Sequence, residues 1–164
     1  MADIVISEFM DETATRAAAL GLRICAADPL LPADHPAWKL ADRVTLDELV
    51  RRSDVISLHV PLTSETRGLF DAARIGAMRR GAILLNAARG GIVDEAALAA
   101  SLRSGHLGGA ALDVFAQEPL DAAQGATFAG VPNLLLTPHI AGVTDESNVR
   151  VSHVTLEAVL RHLG

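Results

Sequence analysis

Three side chains of this 164-residue chain, Arg89, Glu118 and His139, have types and an order suited to proton and anion chemistry. An arginine can hold a carboxylate through a bidentate pair. A histidine can exchange a hydroxyl proton near neutral pH, and a carboxylate beside it can orient the ring and favour its charged form. Such a set suits a 2-hydroxy or 2-oxo acid. Taken alone, Arg89 reads first as a solvated loop arginine, and a lone histidine is more often structural than catalytic. A fourth polar residue, Asp28, either accepts hydrogen bonds from the ribose of a dinucleotide or simply opens a turn before Pro29. The histidines at 35, 106, 153 and 162 show no paired spacing that suggests a metal. Cys25 lies in the apolar run 22–27 and reads as a buried structural thiol.

The elements that must position these residues follow from the hydrophobic pattern. Residues 83–98, ILLNAARGGIVDEAAL, are the organising stretch. Ile83-Leu84-Leu85 suits a strand buried on both faces. Gly90-Gly91 permits a tight turn, and Asp94 stands where an N-cap belongs before an Ala-rich helix. Arg89 therefore falls just past the carboxyl end of a parallel strand, the edge at which open α/β sheets bind ligands.

Other strands are expected at Ile4-Val5-Ile6, 22–27, 55–58, 110–114 and 134–136. Helices are expected at 11–20, after Thr45 (a T-x-x-E capping box), at 70–78, after Asp94 and from Thr144 toward His162. The stretch 117–132 reads as a long loop. Six strands alternating with helices predict an α/β fold: a doubly wound parallel sheet in a three-layer α/β/α arrangement, as a single domain. Asp28, Arg89, Asp113, Glu118 and His139 all fall near carboxyl ends of those strands.

Half of the residues are apolar and the net charge is −6, with no basic run. Disorder and a nucleic-acid surface are therefore not expected. The opening residues lack the pattern of a signal peptide, and no apolar run is long enough to span a bilayer. With one cysteine, the expected compartment is the cytoplasm.

The segments DELVRRSDVISLHVPLTSETRGLF, GAILLNAARGGIVDEAAL, LDVFAQEPL and TPHIAG resemble the NAD-binding domain of the D-isomer-specific 2-hydroxyacid dehydrogenases, including phosphoglycerate dehydrogenases, from Asp28 to about Arg150. The resemblance implies a Rossmann-like domain and Arg89, Glu118 and His139 as catalytic residues. It implies cofactor contacts at Asp28, Val60, Thr66, Ala87, Ala88, Arg89, Asp113, His139 and Gly142. An acid at position 28 implies NAD, because the 2′-phosphate of NADP would meet like charge. The implied substrate is a small 2-hydroxy or 2-oxo acid, and the implied assembly is a homodimer. The segments ISEFMDE and GVTDESNVR are similar to sulfolactate-acting members of the family.

One departure from the family pattern is large. Family members carry a G-x-G-x-x-G loop between the first strand and first helix, whereas no glycine precedes Gly21 here. The corresponding residues include Glu8, Asp11 and Glu12, which would repel a pyrophosphate. Residues 1–12 resemble instead the opening strand of the family's substrate domain. The chain thus reads as a dehydrogenase with an internal stretch removed, of low or no activity alone. The other expectation is a catalytically dead remnant that persists as a folded, dimerising domain.

Overall fold

The computed structural model of the chain describes residues 3–5 and 10–163, with side chains from residue 13 to residue 162. Among the described residues seven strands are formed: β1 (Asp3–Val5), β2 (Arg23–Ala26), β3 (Asp42–Arg43), β4 (Val55–Leu58), β5 (Ile83–Asn86), β6 (Gly109–Leu112) and β7 (Leu134–Leu136). Six α-helices accompany them: α1 (Met10–Ala19), α2 (Leu46–Arg52), α3 (Ala72–Ala77), α4 (Glu95–Arg103), α5 (Ala122–Phe128) and α6 (Asp145–Leu163).

Every strand pair is parallel. One ladder runs β1-β2-β3 and another β4-β5-β6-β7. β1 lies alongside β4, so the spatial order is 3-2-1-4-5-6-7. The winding reverses between β1 and β4, and open α/β sheets bind their ligands at the carboxyl ends of the strands at such a switch point. A sheet lacking its middle strand would leave backbone groups and apolar side chains open on both faces. The sequence therefore predicts that Ile4-Val5-Ile6 fills that slot beside the strands at Leu22 and Ile83. The neighbours of β1 are β2 and β4, with β5 one place further out. α2 packs over β2 and so returns the chain to the far side of β1 before β5 is reached. Ile6, and the segment 7–9 that stands in place of the glycine loop, lie outside the described residues.

Burial follows the two-residue period of the strands. In β2, Ile24 and Ala26 join a small cluster with Ala14 and Ala17 of α1, while Cys25 faces the main core with Leu49 and Val50 of α2. Cys25 is buried, as its apolar setting predicts. Ile56, Leu58, Leu84, Ala110 and Leu112 form the main core together with Ile75, Leu98, Leu102 and Phe128 of the overlying helices. The opposite face of the sheet beyond β4 is thinly covered. The register aligns Ser57, Leu85, Ala111 and Leu135 in one row, and Leu135 is 62% exposed. α6 covers none of it: from 145 to 162 all residues are exposed except Ser147, which is half-buried.

Three local expectations change. β3 is an added strand, two residues long, too short for any periodicity to announce. The stretch 117–132 is not one loop but contains α5. Asp121 caps that helix through a reciprocal pair with Gln124, a D-x-x-Q signature legible in the sequence. The helix expected from Phe70 starts at Ala72 behind the N-cap Asp71, because the Phe70 backbone bridges Val93 instead.

Candidate active site

Each strand of the larger ladder ends in a loop at the same edge, and the loops are stitched to one another. Gly68 N–H donates to Gly91 O at 2.8 Å, Phe70 N–H to Ile92 O at 3.0 Å and Asp94 N–H to Phe70 O at 2.9 Å. These bonds join the loop after β4 to the loop after β5. The β5 loop is also fixed from within. Asn86 is buried at the strand end; its Nδ2 donates to Arg89 O at 3.0 Å, and its Oδ1 accepts the Ala88 amide at 3.1 Å. Gly91 turns the chain at φ +78, a region that L side chains rarely adopt. Gly90 meets a different constraint. A Cβ on it would lie 1.6 Å from Phe115 O, so the loops after β5 and β6 touch backbone to backbone. Only glycine allows that approach.

The loop after β6 begins at Asp113, which is buried. Its Oδ1 accepts the Thr137 hydroxyl at 2.5 Å and the Ile140 amide at 2.9 Å, and its Oδ2 accepts the Ala141 amide at 2.8 Å. One carboxylate therefore clamps the loop after β7 on both sides of His139. Burial pushes the Asp113 carboxyl up, but the bonds from Thr137, Ala141 and Ile140 outweigh it and hold the group below the usual aspartate range. His139 itself sits at φ +56. A non-glycine residue there carries strain of order 1–3 kcal/mol, which the Asp113 clamp offsets.

Glu118 and His139 meet directly. Oε2 of Glu118 lies 2.7 Å from Nδ1 of His139, and Oε1 accepts the Phe115 amide at 2.8 Å. The His139 contact and the Phe115 amide hold the Glu118 carboxyl below the usual glutamate range. An ionised carboxylate can only accept, so Nδ1 carries the proton of this bond and Nε2 is left to exchange one. Both side chains remain open to solvent, 34% for Glu118 and 50% for His139.

The remaining sequence-singled residues are distributed along the same edge. Arg89 is exposed, and its guanidinium donates to Ala88 O at 2.6 Å. It forms no hydrogen bond or ion pair with Glu118 or His139; the link from its loop runs through Gly90 and Phe115. Ala87 is exposed and Ala88 half-buried. Val60 packs against the core. The Thr66 hydroxyl donates to Pro61 O at 2.6 Å and accepts the Thr63 amide at 2.8 Å. Gly142 is exposed, and its carbonyl accepts the Ser147 hydroxyl at 2.5 Å. Asp28 is buried after β2, and its Oδ1 accepts the amides of Leu30 and Leu31 at 2.9 and 3.1 Å. The turn-opening reading of Asp28 is thus realised.

Sequence reasoning passed over Asn86, the close approach at Gly90, and the pair Ser57–His59, whose Oγ and Nε2 lie 2.8 Å apart at the end of β4. Burial pushes His59 down. A buried amide at a strand end was the available signal for Asn86. Nothing in the sequence announced that Gly90 lies against Phe115.

A dinucleotide lying along this edge would find an acid at the ribose end, Asp28. At the other end it would find Asp113, whose three accepted bonds leave room for about one more of a carboxylate's four lone-pair sites. The middle of the site is poorer, since no glycine precedes Gly21. Among the described residues, no group of three His, Cys, Asp or Glu side chains could hold a metal ion, and no helix is long and apolar enough to cross a membrane.

Comparison with known proteins agrees with this geometry. An (S)-sulfolactate dehydrogenase of Chromohalobacter salexigens is 52% identical over 154 residues, which are 93% of this chain and 49% of that protein. A glycerate dehydrogenase of Methylorubrum extorquens is 45% identical over 82% of this chain and 40% of its own length. Among solved structures, a D-lactate dehydrogenase of Aquifex aeolicus complexed with NAD and lactic acid superposes with a TM-score of 0.85 at 30% identity, over 99% of this chain and 53% of that one. The chain spans half or less of the length of these curated relatives, 49% of the first and 40% of the second. Residues 9–141 match the family described as D-isomer specific 2-hydroxyacid dehydrogenase, NAD binding domain, and it is to this NAD-binding family that the chain belongs.

Proposed function

We propose that this chain is the cofactor half of an oxidoreductase acting on a small 2-hydroxy acid, with Arg89, Glu118 and His139 as its catalytic residues. The observation that carries the reading is the 2.7 Å contact between Glu118 Oε2 and His139 Nδ1. NAD, when bound, supplies the hydride acceptor. His139 takes the hydroxyl proton of the acid at Nε2 as the alcohol is oxidised and returns it in the reverse direction. Glu118 fixes the ring and stabilises the imidazolium that forms. Arg89, exposed at the same edge, pairs with the substrate carboxylate. Asp28 holds the ribose end of the cofactor and Asp113 the other end, with Val60, Thr66, Ala87, Ala88 and Gly142 along the wall between them. The 52% identical sulfolactate dehydrogenase makes a sulfonated 2-hydroxy acid the first substrate to assay, followed by glycerate and phosphoglycerate.

Alone, the chain is expected to turn over poorly. The sequence at the pyrophosphate position carries Glu8, Asp11 and Glu12 in place of glycines. Losing two or three charge-assisted hydrogen bonds there, at about 1.5–3 kcal/mol each, weakens NAD by a few orders of magnitude. Alignment of substrate and cofactor supplies roughly 7–11 kcal/mol of barrier lowering in well-oriented systems, and the chain spans 49% of the (S)-sulfolactate dehydrogenase it matches. An NADH fluorescence titration tests the reading: weak, saturable binding that Asp113→Ala weakens further is expected. The absence of binding at millimolar NADH would favour the alternative, a dead remnant that persists as a folded, dimerising domain. Ordinary enzymatic turnover that His139→Ala stops would overturn the expectation of low activity.

A further inference from the structure

The Glu118–His139 pair is held from a third element, which the site described above does not include. Glu95 is the first residue of α4 and is half-buried. Its Oε1 accepts the Ala116 amide at 2.7 Å, from 21 positions away in the chain. The carbonyl of that same peptide unit, Phe115 O, is the atom packed against Gly90. Phe115 in turn donates its own amide to Glu118 Oε1 at 2.8 Å, leaving Oε2 for His139. One peptide unit is thus gripped at its N–H by α4 and at its C=O by the loop that carries Arg89, and the next amide back aims Glu118.

We propose that Glu95 is a positioning residue for Glu118: by fixing the Phe115–Ala116 peptide it sets the direction in which Glu118 meets His139, and it ties that pair to the Arg89 loop. An acid in the first turn of a helix also favours the helix dipole wherever its side chain points. That role needs charge but no reach. The role proposed here needs an acceptor oxygen at the right distance from the backbone and needs no charge. The two requirements separate cleanly by substitution.

The inference rests on reading Glu118 and His139 as the acid–base pair, since only then does their orientation bear on turnover. Its test needs neither cofactor nor substrate. The Glu118 side-chain carboxyl would be followed by carbon-13 NMR against pH in the unmodified chain, in Glu95→Gln and in Glu95→Asp. Gln keeps reach without charge. Asp keeps charge, suits the first helical turn, and is one methylene too short. The charged and titratable groups facing Glu118 are His139 on the β7 loop and Asp113 after β6, and both are unchanged in all three proteins. The expected result is that Glu95→Asp moves the Glu118 midpoint up by about half a unit or more as its amide donor loosens. Glu95→Gln should leave it in place, and the Ala116 amide proton should move upfield in the Asp variant alone. A shift in Gln and none in Asp would assign Glu95 a purely electrostatic role and overturn the proposal; so would an unmoved Glu118 in both. Failure of NADH to bind would sink the dehydrogenase reading and leave this result standing.

Discussion

At the scale of single residues, the site depends on backbone groups as much as on the side chains that would do chemistry. Asp113 spends its carboxylate on Thr137, Ile140 and Ala141, and the outcome is a histidine held at positive φ. Gly90 contributes by having no side chain. Gly90→Ala forces the β5 and β6 loops apart and should cost about 1–3 kcal/mol or more in urea unfolding, the range for overpacking a tight contact. Gly76→Ala is the matched control: nothing lies within 4 Å of its added Cβ, and a helical alanine should gain roughly 0.5–1 kcal/mol. Equal costs at the two positions would refute the contact. The carboxylates also set an acid dependence. Glu118 and Asp113 are held below their ordinary values. Folding therefore gains from their ionised forms above the unfolded values of roughly 4, and loses that gain as pH falls through the lower folded values. Glu118→Gln should flatten the fall of Tm with pH below about 4, and an unchanged slope would remove Glu118 from the account. His59, pushed down by burial, adds an earlier loss that starts as pH drops below about 6.5.

At the scale of elements, the helices that frame the site start on short polar side chains. Thr45, Asp71, Asp94 and Asp121 each accept an amide in the first turn of the helix that follows. Asp94→Ala removes the cap of α4, the helix that carries Glu95, and should cost about 1 kcal/mol. Asp121→Ala breaks the reciprocal pair with Gln124 and should cost a similar amount. The effects should differ in location. α4 packs on α3 and α5 and buries Leu98 and Leu102 in the main core, so its loss is global. α5 follows the loop that carries Glu118, so amide exchange in Asp121→Ala should rise first across 117–128. Uniform acceleration over the whole chain would show that α5 is not a separate local unit.

At the scale of the whole molecule, the sheet is better covered on one face than on the other. α2, α3, α4 and α5 roof the main core. The face bearing Leu135 leaves that side chain 62% exposed, and Val149, Val154, Leu156 and Leu160 are exposed along α6; large exposed apolar side chains of this kind are where association surfaces form. We propose self-association through this surface, giving a homodimer by light scattering at micromolar concentration. Val154→Glu together with Leu156→Glu on α6 should return it to monomer. A monomer before substitution would count against the idea.

The sequence by itself determined the strand–helix alternation, the parallel sheet, the caps at Thr45 and Asp94, and the edge on which Asp28, Arg89, Asp113, Glu118 and His139 fall. These are consequences of local pattern: apolar runs of strand length, short polar residues before Ala-rich helices, and polar tips where strands stop. The NAD-binding family was also legible, because its long ordered segments survive in the chain. Tertiary structure decided what no local pattern encodes. It put β4 rather than β5 beside β1, since the order of strands in space depends on where each crossover helix packs. It made a strand of two residues at β3, whose only support is its pairing with β2. It turned Asp113 into a clamp around His139 and Gly90 into a contact with Phe115. Each of those roles belongs to a residue's partner, and the partner lies one to several dozen positions away, at a distance that only the closed fold fixes.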